Sequence, residues 1–433
     1  MRWPEAIQWH MAADADDVQD AAPRSRRRVL AAGLGLAAVA ALPTRAPASL
    51  RDPVAEDWIP PDAFLDDLPR QMRALGVPGV GIAVVERGEP LWTRGFGVMH
   101  AGRANPVDDA TLFEVASLSK PVFAWLALQL VDRGELALDR PLVHYLRPHY
   151  LGHGPWVDAI TTRDVLRHST GLPDWRKDPA HEMLVPAVAP GTRIDYSGEA
   201  FFWLQQVLET ITGESLDQSM RRRLFDPAGM GDSSYAWDER LAARSVYGHG
   251  LPGATQMPPQ GLRDQWQVAQ AVAGRHGQSL HDWRYVDAEA ALAEVQAPGP
   301  VGLVAWPGDI MANAAASLRC TVGDYARFMA LMVRGHRAGW ELRADTRKAM
   351  LTPQIQVPGR WSDKTLGWNL EATPQGTVFF HSGSNAGIFK NFALGDAARQ
   401  RALVVATNAT QGNLLYRRVV RAATGLDLLA FDA

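Results

Sequence analysis

The chain has 433 residues, 47% hydrophobic and 21% charged, which suits one large soluble α/β domain carrying a helical subdomain. A net charge of -3 gives no electrostatic basis for binding nucleic acid or an anionic membrane surface. The single cysteine, Cys320, excludes an internal disulfide and a thiolate metal cage. No cofactor is expected, because the chain carries no G-x-x-x-x-G-K-[ST] loop, no H-E-x-x-H pair and no strand-to-helix G-x-G-x-x-G. His181-Glu182 opens like a zinc motif, but Val185 stands where the second histidine is needed.

Residues 1–48 read as a signal peptide of the twin-arginine type. Ser25-Arg26-Arg27-Arg28-Val29-Leu30 precedes an apolar run over 31–42 and the small-residue site Ala46-Pro47-Ala48. The run falls about eight residues short of a bilayer span, so the expected mature domain, 49–433, has no stable membrane span and is periplasmic or secreted. The competing reading of this segment is an uncleaved anchor or a basic tail.

Helical spacing follows over 62–75, with Phe64, Leu68, Met72 and Leu75 on one face. Residues 80–85 read as a buried strand, 87–90 as a turn and 91–99 as a second strand. A long helix is expected after Ser117, passing Leu126 and Leu130 and stopping near Gly134. Helices and loops then occupy 136–231, including 162–168 and 199–213. Residues 250–308 mix Pro, Gly and Gln around one helix-like piece, 287–295, and form either a lid over the site or a surface insertion. Strands are expected at 377–381, 387–394 and 402–407, and a closing helix at 414–423. Strands at both ends with helices between them predict one sheet completed by both chain ends, flanked by helices, with a helical subdomain at about 136–231 inserted.

Ser117-Leu118-Ser119-Lys120 carries the chemistry. On a helix, residues three apart share a face, which sets the Lys120 amine beside the Ser117 hydroxyl. A serine hydroxyl attacks carbonyls only when a base takes its proton, and a desolvated lysine of lowered pKa serves as one. A helix start also aims N–H groups at a developing oxyanion, and Pro121 is tolerated there. The chain has five lysines (Lys120, Lys177, Lys348, Lys364 and Lys390), and Ser117–Lys120 is its only S-x-x-K.

The segment from Phe113 to Pro121 resembles the S-x-x-K region of class C β-lactamases and their esterase and peptidase relatives, members of the serine β-lactamase and penicillin-binding-protein superfamily. Similar segments follow in the same order: Ile160 to Pro173, Pro190 to Gly198, Asp324 to Phe328 and His381-Ser382-Gly383. The resemblance implies a β-lactamase/transpeptidase-like α/β fold with an antiparallel sheet. It places Tyr196 on the tyrosine of a Y-x-N motif, where it hydrogen-bonds the nucleophile and shuttles its proton. The third position is Gly198, not the asparagine that in the family helps hold the lysine and the substrate amide. His381 falls on the lysine of K-T-G, as a donor to Tyr196 or to a substrate carboxylate, and a histidine there makes the positive charge depend on pH. Gly383 admits the substrate backbone, and the N–H groups of Ser117 and Ser384 form the oxyanion hole. Whether Lys120 or Tyr196 is the base stays open at this point. His168 reads as a buried histidine, Glu114 as a surface or helix-dipole residue, and Trp306 and Trp361 as candidate cleft walls.

The sequence therefore points to an exported acyl-enzyme serine hydrolase for a small-molecule or peptidoglycan-like substrate. Esterase or D-peptidase-like activity is favoured over a dedicated β-lactamase because of Gly198 and His381. A non-catalytic penicillin- or peptidoglycan-fragment-binding protein on the same fold is the alternative. A Ser-His-Asp α/β-hydrolase is disfavoured, since no G-x-S-x-G elbow is present.

Overall fold

The computed structural model describes residues 57–251, 256, 263–295, 306–355 and 362–432. The expected signal peptide, parts of the 250–308 stretch and Trp361 lie outside the described residues.

Helix α1, Asp62–Leu75, buries Leu65, Leu68 and Met72 and stops at Gly76, which is left-handed with φ 63°. Strands β1, Gly79–Glu86, and β2, Glu89–Gly97, form a hairpin. The two-residue strand β3, Phe113–Glu114, leads through a 3₁₀ turn, Ala116–Leu118, into α2, Ser119–Asp132, which is buried along most of its length. Short helices α3, Pro155–Ala159, and α4, Thr162–Leu166, precede α5, Gly198–Thr212. Then come α6, Leu216–Met220, α7, Asp226–Ala228, and α8, Glu239–Ala242. The described part of 250–308 holds two helices where one was expected: α9, Arg263–Arg275, and α10, Tyr285–Val295. Strand β4, Arg319–Cys320, pairs with β3 and runs into α11, Val322–Val333, and α12, Ala344–Met350. The chain closes with β5, Asp363–Lys364, β6, Asn369–Thr373, β7, Gly376–Asn385, β8, Phe389–Asp396, β9, Arg401–Thr407, and α13, Gly412–Thr424.

The main sheet has seven strands in the order β2-β1-β9-β8-β7-β6-β5, and all its pairings are antiparallel. Strand β1 meets β9 from Val80 opposite Thr407 to Val85 opposite Ala402, so early and late parts of the chain share the centre. Period-two alternation separates two cores. Val80, Ile82, Val84, Val378, Phe380, Leu403 and Val405 face α1 and α13. Ala83, Val85, Phe379, Val404 and Ala406 face α2, α5 and α11. By the same alternation His381 and Gly383 follow Phe379 onto the α2 face. Strand β6 pairs with β7 only as far as Phe380, whereas β8 accompanies β7 to Asn385. Residues 381–385 therefore keep one side outside the β5–β6 ladder, beside the start of α2. Among the described residues no helix is long and apolar enough to cross a membrane.

Candidate active site

The turn that carries Ser117 is strained and strongly held. Ala116, just before Ser117, has φ 53°, a left-handed value costly for a residue with a Cβ. Its carbonyl accepts the Ser119 hydroxyl at 2.5 Å, and that hydroxyl accepts the Leu318 N–H at 3.0 Å. The Tyr325 hydroxyl donates to the Leu118 carbonyl at 3.0 Å and the Tyr235 hydroxyl to the Ser119 carbonyl at 2.6 Å. Glu114 is a clamp rather than a surface residue. Its carboxylate accepts Arg319 at 2.8 Å and Asn385 at 2.6 Å, and its carbonyl accepts Asn391 at 3.0 Å. The turn is thus bolted to β4, β7 and β8.

Two polar groups converge on Ser117 Oγ. The Tyr196 hydroxyl donates to it at 2.7 Å, and Lys120 Nζ lies 3.3 Å away. Lys120 Nζ also donates to the Ala315 carbonyl at 3.0 Å and lies 4.4 Å from the centre of the Tyr196 ring. Burial of the whole lysine pushes its pKa down from 10.5 to about 7, against the opposing charge of Asp174. Tyr196 shifts the other way. Burial and the Asp174 charge raise its pKa, although the hydrogen bond to Ser117 partly offsets them. The phenol thus stays protonated where half of the lysine is already a free amine.

Tyr196 is placed by the cap of α5. Ser197 accepts the Ala200 N–H at 3.0 Å, donates to the Pro173 carbonyl at 2.7 Å and gives its own N–H to His168 Nδ1 at 3.2 Å. His168, buried as expected, stacks on the Tyr196 ring at 4.4 Å. Burial and the charge of Lys364 keep it neutral, with its pKa well below the usual histidine value.

His381 differs from expectation. It is buried on β7, and burial together with the charges of Lys364 and Lys120 pushes its pKa down to about 3. Its Nδ1 lies 2.6 Å from the Ser382 carbonyl, which can only accept, so Nδ1 carries the proton and Nε2 is a lone-pair acceptor. At neutral pH this residue is neither a cation nor an Nε2 donor for a carboxylate.

Gly383 presses against the Ser117 turn. A Cβ there would lie 3.3 Å from both the Ser117 and Leu118 nitrogens and well inside contact distance of the Val115 carbonyl. Ser384, the next residue, thereby sits alongside the same turn.

Gly198 is covered by Trp175, whose ring would lie 2.5 Å (Cε2) from an added Cβ. Gly198→Asn, which would complete the Y-x-N motif, is therefore expected to cost about 1–3 kcal/mol by overpacking. A lowered denaturation midpoint is the readout, and an unchanged midpoint would show that Trp175 swings clear. Trp306 packs 5.5 Å from Trp175 and so backs this wall.

Residues 65–425 match the family model described as Beta-lactamase. The chain belongs to that family. Among curated relatives it is 30% identical over 217 residues to penicillin-binding protein 4 of Amycolatopsis lactamdurans, covering 47% of this chain and 56% of that one. It is 29% identical over 314 residues to the esterase EstB of Burkholderia gladioli, covering 66% and 76%. The chain spans about half the length of the first curated relatives it matches. Among solved structures, a class C beta-lactamase superposes with TM-score 0.61 at 19% identity, over 84% of this chain and 95% of its own. D-alanine carboxypeptidase AmpC from Burkholderia cenocepacia gives 0.60 at 20%, over 84% and 99%. At such identities the superpositions speak for the fold, which is that of the Beta-lactamase family.

Within this Beta-lactamase-family chain, sequence reasoning missed Asp174, Ala315 and Lys364. Lys364 supplies the leading charge on both neutral histidines. Its one available signal was rarity, as one of five lysines. Among the described residues no group of three or more His, Cys, Asp or Glu side chains is arranged to hold a metal ion.

Proposed function

We propose that the protein is an acyl-enzyme serine hydrolase with Ser117 as nucleophile and Lys120 as base. It would act on small esters or D-amino-acid amides, including peptidoglycan-like ones, in preference to β-lactams. The observation that carries this reading is the meeting of a wholly buried lysine amine and a tyrosine hydroxyl on one serine oxygen. A neutral Lys120 accepts the Ser117 proton as Oγ attacks the carbonyl carbon. The oxyanion is held by the N–H groups of Ser117 and Ser384. The C–X bond then breaks, and the proton passes from Lys120 to the leaving group with the Tyr196 hydroxyl as relay. Water repeats the cycle on the acyl-enzyme, Lys120 again taking the proton. Tyr196, with its raised pKa, is no base at neutral pH.

The substrate preference rests on two features. Gly198 offers no amide to a β-lactam side chain. The Nε2 lone pair of His381 does not attract the carboxylate that penicillins and cephalosporins carry. Export through the twin-arginine route belongs to the same proposal and is supported by the paired arginines and the A-x-A site.

Intact-mass spectrometry after exposure to a fluorophosphonate, a p-nitrophenyl ester and a penicillin tests the reading, with Ser117→Ala alongside. The fluorophosphonate adduct should persist on the native protein and the ester should turn over, with neither reaction in Ser117→Ala. No adduct from any reagent would make the chain a binding protein on a hydrolase fold. Rapid turnover of the penicillin would overturn the substrate preference.

A further inference from the structure

The position where the Y-x-N motif lacks a side chain is nevertheless filled. The ring of Trp175 lies across the Gly198 Cα. The residue before it, Asp174, accepts the Gly198 N–H on Oδ1 at 2.8 Å, and its carbonyl accepts the Glu199 N–H at 2.9 Å. With the Ser197 hydroxyl on the Pro173 carbonyl at 2.7 Å, three bonds lace 173–174 to the cap of α5 directly behind Tyr196. The lacing fixes a half-buried carboxylate on the third position of the motif, two residues after Tyr196, whose ring lies 4.4 Å from Lys120 Nζ.

We propose that Asp174 is a positioning residue of this hydrolase: an anion fixed by the Gly198 N–H that acts on Lys120 in place of the missing asparagine, while Trp175 fills the volume that side chain would need. The proposal rests on the reading of Lys120 as the base of Ser117. Asp174 is the leading charge on Lys120, where it opposes burial, and on Tyr196, where it adds to burial. Burial raises the Asp174 pKa, with the Glu199 carboxylate adding to it, while Lys120 and the Gly198 N–H pull it back down. Among the described residues, the other groups that touch Lys120 supply no counter-charge. Ser117, the Ala315 carbonyl and the rings of Tyr196 and Phe201 are uncharged. His168 and His381 are neutral and feel the lysine's charge, together with that of Lys364.

The substitution changes what the third position does. An asparagine holds a lysine by hydrogen bonding and leaves its charge balance alone. A carboxylate sustains the proton affinity of a desolvated amine, and a base works best when its pKa stays near the working pH. Asp174 therefore keeps Lys120 basic in a pocket that would otherwise depress it further.

The chain's five lysines make a direct test practical. Protein labelled with 13C at lysine Cε gives a short list of signals, and Lys120→Met assigns the one from Lys120. Asp174→Asn retains an oxygen for the Gly198 N–H and removes only the charge. It should lower the Lys120 titration midpoint by about one unit, the lower end of what a nearby opposite charge does. The acid limb of p-nitrophenyl ester hydrolysis should move down by the same amount. An unmoved midpoint in a folded Asp174→Asn protein overturns the proposal. The midpoint is read whether or not the protein turns over any ester, so a native protein that Ser117 reagents fail to label defeats the hydrolase reading separately. If Asp174→Asn does not fold, the Lys120→Met/Asp174→Asn double variant should, because no buried amine then lacks its anion. Failure of that variant to fold better than the single one assigns Asp174 a purely local structural task and overturns the proposal.

Discussion

Lys120→Met is expected to slow acylation of Ser117 by about 10³-fold, within the range that a positioned general base supplies. The amine is the one group at Ser117 Oγ able to take a proton at neutral pH, since burial and Asp174 hold the Tyr196 phenol protonated. Methionine fills similar volume in a pocket that excludes water, so the loss should fall on rate rather than fold. Stability should hold or rise, because a buried amine is costly to desolvate. The price is one lost donor to the Ala315 carbonyl. Lys120→Arg should be as inactive, since a guanidinium does not shed its proton in this range. The native protein supplies the matching pH dependence. Lys120 is protonated below its pKa of about 7 and cannot accept from Ser117. Acylation should therefore rise about tenfold per unit well below pH 7 and level off above it. Stopped-flow release of p-nitrophenol across pH, with thermal melts of each variant, checks both parts. A flat profile between pH 5 and 8 would remove Lys120 as the base.

Gly383→Ala is the second large effect. The added carbon meets the Val115 carbonyl and the Ser117 and Leu118 nitrogens, all backbone atoms that cannot rotate away. Either β7 or the nucleophile turn must move. The turn is held by Glu114, Tyr325 and Tyr235, so the strand is expected to yield. Displacing β7 carries the Ser384 N–H away from the site of the oxyanion. Misplacing one such donor costs about 10²–10³ in kcat, and the overpacking costs about 1–3 kcal/mol of stability. Ser382→Ala, exposed on the opposite face of the same strand, should change neither. Paired kinetics and denaturant titrations decide the matter: equal kcat in Gly383→Ala would show that the strand edge takes no part in catalysis.

The chemistry that sequence made legible is local. Ser117 and Lys120 sit one helical turn apart, and Tyr196 comes within a contiguous segment, so their types and spacing show before any fold is known. Long strands were legible for the same reason, as 80–85, 387–394 and 402–407 each carry enough apolar residues to show a pattern. Strands β3, β4 and β5 have two residues each, too few for any period. Helix α9 was hidden because its buried face, Trp266, Ala269, Val272 and Ala273, is mostly small. The state of His381 depends on burial and on Lys364, which belongs to an edge strand with no recognisable pattern of its own. Gly198 reads as a gap in a motif until the fold lays Trp175 over it. Asp174 looks like an ordinary loop acid until the fold ties it to the start of α5, behind Tyr196.

The sheet order also bears on how the molecule is made. Strand β1 has β2 on one side and must wait for β9 on the other, while the wall facing Ser117 belongs to β7. A ribosome that has already released α2 has yet to make the groove in which its serine becomes reactive. Pairings this distant in sequence close slowly. Until β7 to β9 arrive, the early hairpin offers an open edge to any neighbouring chain. Reactivity and burial of that edge are thus gained in the same late step, and a half-finished chain is at greater hazard of aggregation than of untimely chemistry.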